Sequence, residues 1–179
     1  FGAPGVWLGL VAGLTVAASN YRDADSFLGR NFSYRPYFTQ AISGKSVFFH
    51  ALGTTSGERG FFFSAPILDG IEVLGVLAVK ITVGEIELDC EGIGHEVLIA
   101  DGNGIVFLTS REDYKFRALA PLSEAVLTRI ADTRQFPLDR VRRIELSANV
   151  IGPQSVQVIM GDPAQSERYL ATSTPLTLA

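Results

Sequence analysis

Hydroxyls and a guanidinium crowd one short loop. In HALGTTSGERGFFFSAP, residues 50–66, Thr54, Thr55, Ser56 and Arg59 separate two aromatic-rich runs. A solvated loop needs polarity, but it does not need this density of hydrogen-bond donors. Donors at such density suit an anion. The surrounding charge agrees: between residues 20 and 60, Arg22, Arg30, Arg35, Lys45 and Arg59 face only Asp23, Asp25 and Glu58, a local excess of cations in a chain of net charge −4. Arg59 can touch an anion or pair with Glu58 to brace the turn, and bracing is the favoured reading.

Two further cations stand out by position. Arg35 directly precedes Pro36, a residue suited to the first turn of a helix, so Arg35 is expected at a helix N-terminus. It reads equally well as an anion ligand and as an ordinary surface arginine. Lys80 closes the apolar run LGVLAVKITV, where alternation puts Val76, Ala78 and Lys80 on one face and Leu77, Val79 and Ile81 on the other. Its ammonium either snorkels to solvent or points at something negative.

Catalytic constellations are weaker. His50 and His95 are isolated, Cys90 is the single cysteine, and neither pattern supplies a metal site or an activated nucleophile. GTTSGERG lacks the Gly-Lys-Ser/Thr ending of a phosphate loop. DGNG at 101–104 reads as a hairpin turn rather than a calcium loop. No enzyme, metal or cofactor is expected from this chain.

The elements that must hold these residues repeat along the sequence. VWLGLVAGLTVAAS from Val6 overlays VLIADGNGIVFLTS from Val97, matching Val6 with Val97, Gly13 with Gly104 and Ser19 with Ser110. Each copy reads as strand, glycine turn, strand. A second echo pairs FFFSAPI (61–67) with LATSTPL (170–176). Two modules follow, 1–90 and 91–179, joined around LDCEGIGH, with the second expected to lack its last strand. Helices are expected over RPYFTQAISGK and LSEAVLTRIADTRQ, the latter capped by Ser123. The fold class is α+β: two modules, each an antiparallel sheet with flanking helices.

Composition sets the outer limits. The chain has 179 residues, 47% hydrophobic and 19% charged, so it can bury a core. Its net negative charge argues against a nucleic-acid partner. No run reaches the roughly 18 apolar residues of a membrane-spanning helix. Because it starts at Phe1 rather than Met, an excised piece of a longer protein is the expected reading.

Taken together, ASNYRDADSFLGRNFSYRPYFTQA, ALGTTSGERGFFFSAPI and GVLAVKI resemble the periplasmic sensor regions of four-carbon-dicarboxylate sensor histidine kinases, which are tandem PAS-like modules of the double Cache (PDC) type. The resemblance is dense in the first module and thinner in the second. It implies a ligand such as succinate, fumarate or malate in the membrane-distal module. Arg35 would clamp one carboxylate, and Lys80, Thr54, Ser56 and Thr55 would supply the other contacts. Phe32 stands where these sensors often carry a tyrosine. The resemblance also implies an inner-membrane protein with a periplasmic sensor region, a homodimer formed through an N-terminal helix, and a cytoplasmic response regulator as partner. Removing Arg35 or Lys80 is expected to abolish binding while the free protein stays folded. The alternative is a chemoreceptor or other receptor of the same fold that binds amino acids, with Asp23 or Asp25 taking the ammonium. A purely structural module is the third reading.

Overall fold

The register between the two halves has a structural counterpart. In the computed structural model, which describes residues 5–91, 95–152, 155–160 and 167–172, β1 (Gly5–Leu10) and β2 (Thr15–Ala18) form one hairpin. β6 (Leu98–Ala100) and β7 (Val106–Thr109) form another. Val6 N donates to Ser19 Oγ at 3.0 Å, and Ser19 N returns a bond to the Val6 carbonyl at 2.8 Å. Val97 and Ser110 repeat both bonds, at 3.1 and 3.2 Å. Gly13 and Gly104 take φ of 86° and 77° at the two turns, a region that favours glycine. At Gly13 a Cβ would also meet Ser33 Cβ at 2.6 Å. Of the second echo, residues 173–176 lie outside the described residues, as does the expected end of the second module.

The first half builds one antiparallel sheet. β3 (Val47–Leu52), β4 (Arg59–Asp69) and β5 (Glu72–Thr82) join the first hairpin in the order β2-β1-β5-β4-β3. Helix α1 (Pro36–Ile42) starts at its proline and ends at Ser43, with Gly44 at φ 88° beyond it. It packs Tyr37, Phe38 and Ala41 onto one face of the sheet. There Trp7, Phe62 and Tyr37 lock together: the Tyr37 and Phe62 rings stack at 5.3 Å, and Trp7 meets both edge-on. Burying a side chain of this size contributes roughly 1.5–3 kcal/mol. The alternation read in β5 decides what faces this core: Val76, Ala78 and Lys80 are all buried, while Leu77 and Ile81 are exposed.

The second half is built from smaller pieces. Helix α2 (Gly84–Glu91) occupies much of the segment read as a junction. The β6–β7 hairpin packs against α3 (Glu124–Thr133), whose N-terminus is capped as expected: Val126 N donates to Ser123 Oγ. β8 (Leu146–Gly152), β9 (Ser155–Met160) and β10 (Glu167–Ala171) form a three-stranded antiparallel sheet. Ile105, Leu108, Phe116, Ile130 and Phe136 form the core between the β6–β7 hairpin and α3, and Phe61 and Leu52 of the first sheet pack against it. The two halves are therefore in direct contact.

Polar bonds reinforce that contact. Leu52 N donates to the Gln135 carbonyl at 3.0 Å, and Gln135 Nε2 donates to the His50 carbonyl at 3.0 Å. His50 Nε2 lies 3.6 Å from Asp101, whose carboxylate also accepts from Asn103 N and Ile105 N in the hairpin turn. His50 is thus a strand histidine at the boundary between the halves.

Candidate functional site

Lys80 reaches its position because two glycines make room. On β5 its neighbours across the sheet are Phe62 of β4 and Gly5 of β1. A Cβ at Gly60 would lie 2.8 Å from Lys80 Cε and 2.9 Å from the Ile81 carbonyl. A Cβ at Gly53 would lie 3.2 Å from Lys80 Nζ and 2.7 Å from Ser56 Oγ. The lysine stem is threaded through this gap. Its ammonium, 3% exposed as a residue, donates to Ser56 Oγ at 2.6 Å and lies 3.6 Å from the solvent-exposed Glu58.

The loop between β3 and β4 closes over it. Gly53 N donates to the Glu58 carbonyl and Gly57 N to the Gly53 carbonyl, with Gly57 at φ 69°. Glu58 N donates to Ser56 Oγ at 3.3 Å. Thr54, at the loop's exposed edge, shares a 2.8 Å hydrogen bond with the hydroxyl of Tyr34.

Arg35 comes from the opposite wall and is 1% exposed. Here the sequence expectation needs a correction. Arg35 is the N-cap of α1, but its guanidinium turns away from the helix and donates to three backbone carbonyls: Leu52 at 2.7 Å, Thr133 at 3.1 Å and Arg134 at 2.9 Å. It is neither a surface arginine nor a fully free clamp. A guanidinium carries five N–H donors; three serve these carbonyls, and Tyr34 hydrogen-bonds the same side chain.

Arg59 is also corrected. It does not brace Glu58. It crosses into the second half, where it forms a bidentate pair with Glu87 of α2 and donates to the Phe107 carbonyl. Lys115 joins the same carboxylate at 3.2 Å. Burial raises the Glu87 pKa, but the Arg59 and Lys115 bonds and the Thr109 amide outweigh it and hold the carboxyl below its ordinary range.

The six residues singled out in the sequence, Phe32, Arg35, Thr54, Thr55, Ser56 and Lys80, all line one cavity between the sheet and α1. Trp7, Phe27, Tyr37 and Phe62 complete its apolar walls. Phe32 packs on Trp7 and Phe27 and presents no hydroxyl. Sequence reading missed these walls because aromatic residues at strand and loop spacing read simply as core. The cavity is tight, about 10 Å³, room for about one water. A four-carbon diacid is several times larger than this space.

The electrostatics are unusual for a core. Burial pulls the pKa of both Arg35 and Lys80 below their ordinary values; Glu58 offsets this in part for Lys80, and Arg35 itself adds to the repulsion. Two cations border one cavity, and no acid lines it. Larger hollows exist, about 360 Å³ along Phe48, Phe63, Leu77 and Val79 and about 410 Å³ between the halves near Phe61 and Phe107. Both are apolar, and their one acid, Asp101, is already paired. Among the described residues no cluster of His, Cys, Asp and Glu is arranged to hold a metal, and no helix is long and apolar enough to cross a membrane.

Comparison with known proteins places this geometry. No protein-family model matches the chain. It is 37% identical over 154 residues to the C4-dicarboxylate transport sensor protein DctB of Pseudomonas aeruginosa, covering 86% of this chain and 25% of that protein, so it spans about a quarter of that relative's length. The crystal structure of the V. cholerae histidine kinase DctB sensor domain superposes with a TM-score of 0.81 at 30% identity, covering 97% of this chain and 67% of that one. The ligand-binding domain of the Pseudomonas fluorescens chemoreceptor CtaA, in complex with L-leucine, matches with a TM-score of 0.53 at 13% identity over 87% of this chain and 62% of that one, a likeness of fold alone. The antiparallel α+β architecture and this sequence identity, taken together, show that the chain belongs to the family of DctB-type sensor domains.

Proposed function

We propose that the chain binds a small dicarboxylate such as succinate, fumarate or malate in the Arg35–Lys80 cavity. The observation that carries this reading is the pair of buried, mutually repelling cations facing one cavity with no acid in its lining. A buried charge is costly, the exposed Glu58 at 3.6 Å offsets that of Lys80 only in part, and a dianion would relieve both ends at once. Arg35, which borders the cavity, fits one carboxylate. Lys80, with Thr55 and Ser56 beside it, fits the other once the loop opens, and Thr54 is released from Tyr34 by the same movement. Charge-assisted hydrogen bonds contribute roughly 1.5–3 kcal/mol each.

The full protein, on this reading, is an inner-membrane sensor histidine kinase with its sensor region in the periplasm. Residues 1–90 form the membrane-distal ligand-binding module and residues 91–179 the membrane-proximal one. It works as a homodimer through a helix preceding this chain and passes its signal to a cytoplasmic response regulator. The similarity to the C4-dicarboxylate transport sensor protein of Pseudomonas aeruginosa supports the ligand class. An amino-acid ligand would need an acid for its ammonium, and both candidates, Asp23 and Asp25, are exposed and outside the cavity lining.

Thermal-shift titration tests the reading. Succinate, malate or fumarate at 100 times its Kd stabilises the folded chain by about 2.7 kcal/mol, whereas acetate, which leaves one cation unpaired, gives little. Lys45→Ala, on the exposed end beyond α1, serves as control. Equal stabilisation by acetate and succinate would contradict a two-ended site.

A further inference from the structure

The second half reaches the proposed ligand cavity through the C-terminal turn of α3. The last carbonyls of a helix lack intrahelical partners and carry the negative end of its dipole. In α3 those of Thr133 and Arg134 are taken by Arg35, at 3.1 and 2.9 Å. Arg35 therefore ends α3 with one part of its guanidinium and borders the cavity with the rest.

A second connection runs from the same turn to the cavity. Arg134 adopts the left-handed conformation, φ 48°, and its guanidinium lies 4.7 Å from the centre of the Tyr34 ring. The Arg35 guanidinium lies 5.4 Å from that ring. Tyr34 in turn shares its hydroxyl with Thr54 of the 53–58 loop. One turn of the second half is thus joined to the Arg35 wall and to the loop that lines the cavity.

We propose that the C-terminal turn of α3 reads occupancy of the cavity, and that Arg134 is a positioning residue for it. This rests on the dicarboxylate reading above. A carboxylate held by Arg35 fixes the guanidinium, and with it the carbonyls of Thr133 and Arg134. Release of Thr54 from Tyr34 leaves the tyrosine ring to Arg134. Coupling of this kind is reciprocal: whatever the ligand does to the α3 turn, the turn does to ligand affinity.

Hydrogen–deuterium exchange of the 179-residue chain, with and without saturating succinate, reads the first arm. Amides of 131–136 are expected to exchange about 5-fold more slowly with succinate, at the low end of ordinary coupling. Calorimetry reads the second arm. Arg134→Gly keeps the carbonyl and suits a positive φ, so the free protein should hold its Tm while succinate affinity falls about 5-fold. Arg134→Lys should restore most of that loss, because an ammonium also stacks on an aromatic ring. Succinate binding that leaves exchange at 131–136 unchanged overturns the inference, and so does Arg134→Gly with wild-type affinity. A wild-type chain that binds no succinate, malate or fumarate instead overturns the ligand assignment and this inference with it.

Discussion

Lys80 Nζ donates a 2.6 Å hydrogen bond to Ser56 Oγ, so the buried cation of β5 and the hydroxyl loop between β3 and β4 are one unit. The loop's polarity is explained by what lies beneath it. Without the loop, the ammonium would lose both Ser56 and Glu58 and sit beside Phe62 and Gly5.

Lys80→Met should abolish dicarboxylate binding and leave the free protein as stable or more so. Truncating one partner of a buried charge pair costs about 2–5 kcal/mol, or roughly 30-fold to several-thousand-fold in Kd. The free protein loses an ammonium that is expensive to bury and gains an apolar side chain of similar length. Calorimetric titration with succinate and thermal denaturation without it separate the two effects. Near-wild-type affinity would place the ligand elsewhere.

Arg35→Ala should differ from Lys80→Met by destabilising the free protein as well. Its three carbonyl partners come from both halves, and each buried carbonyl left unpaired costs about 1–3 kcal/mol. A loss of about 3 kcal/mol or more is expected in urea denaturation. This departs from the sequence expectation that the free protein would tolerate the change. Arg35→Lys should recover only part of the loss, since one ammonium cannot span three carbonyls.

Gly60→Ala should weaken ligand binding without touching any donor. The added methyl would meet Lys80 Cε at 2.8 Å and the backbone at Ile81 at 2.9 Å, so the lysine stem must shift. Ser56→Ala, which removes the ammonium's hydroxyl partner, should weaken binding through the same lysine. A Gly60→Ala chain with unchanged succinate affinity and unchanged Tm would show that the gap is not needed.

Binding should take up protons at alkaline pH. Burial lowers the Lys80 pKa below its ordinary 10.5. The unfolded chain then holds this proton to higher pH than the folded one, so Lys80's contribution makes the free protein more stable as pH rises through the folded-state value. A dianion favours the charged form, so succinate restores the proton and its affinity falls as pH rises. Titrations of the wild-type chain in two buffers of different ionisation enthalpy measure the uptake; the same apparent enthalpy in both at alkaline pH would contradict it.

Glu87 has the opposite sign. Its folded-state pKa is held below the ordinary 4.5, so the unfolded chain binds the proton first as pH falls. The contribution is present in full above about 4.5 and is lost as pH drops through the folded-state value. Glu87→Ala should cost about 3–5 kcal/mol near neutrality, because it strands Arg59. The gap from wild type should narrow in acid, as read by Tm against pH.

What the sequence determined by itself was local and periodic. Alternation along LGVLAVKITV placed Lys80 on one face with Val76 and Ala78, Pro36 and Ser43-Gly44 bounded α1, and the register of Val6 on Val97 carried the Ser19 and Ser110 bonds with it. These follow from strand and helix periods and from turn chemistry, which act over a few residues. The family resemblance added which cations and hydroxyls to group, with Phe32, and all six residues border one cavity. The tertiary structure alone decided the partners. Arg35 bonds to carbonyls 98 and 99 residues away, and Arg59 passes over its neighbour Glu58 for Glu87, 28 residues on. A long, flexible cation pairs with whatever packing brings within about 3 Å, and packing between the two halves has no period to read along the chain.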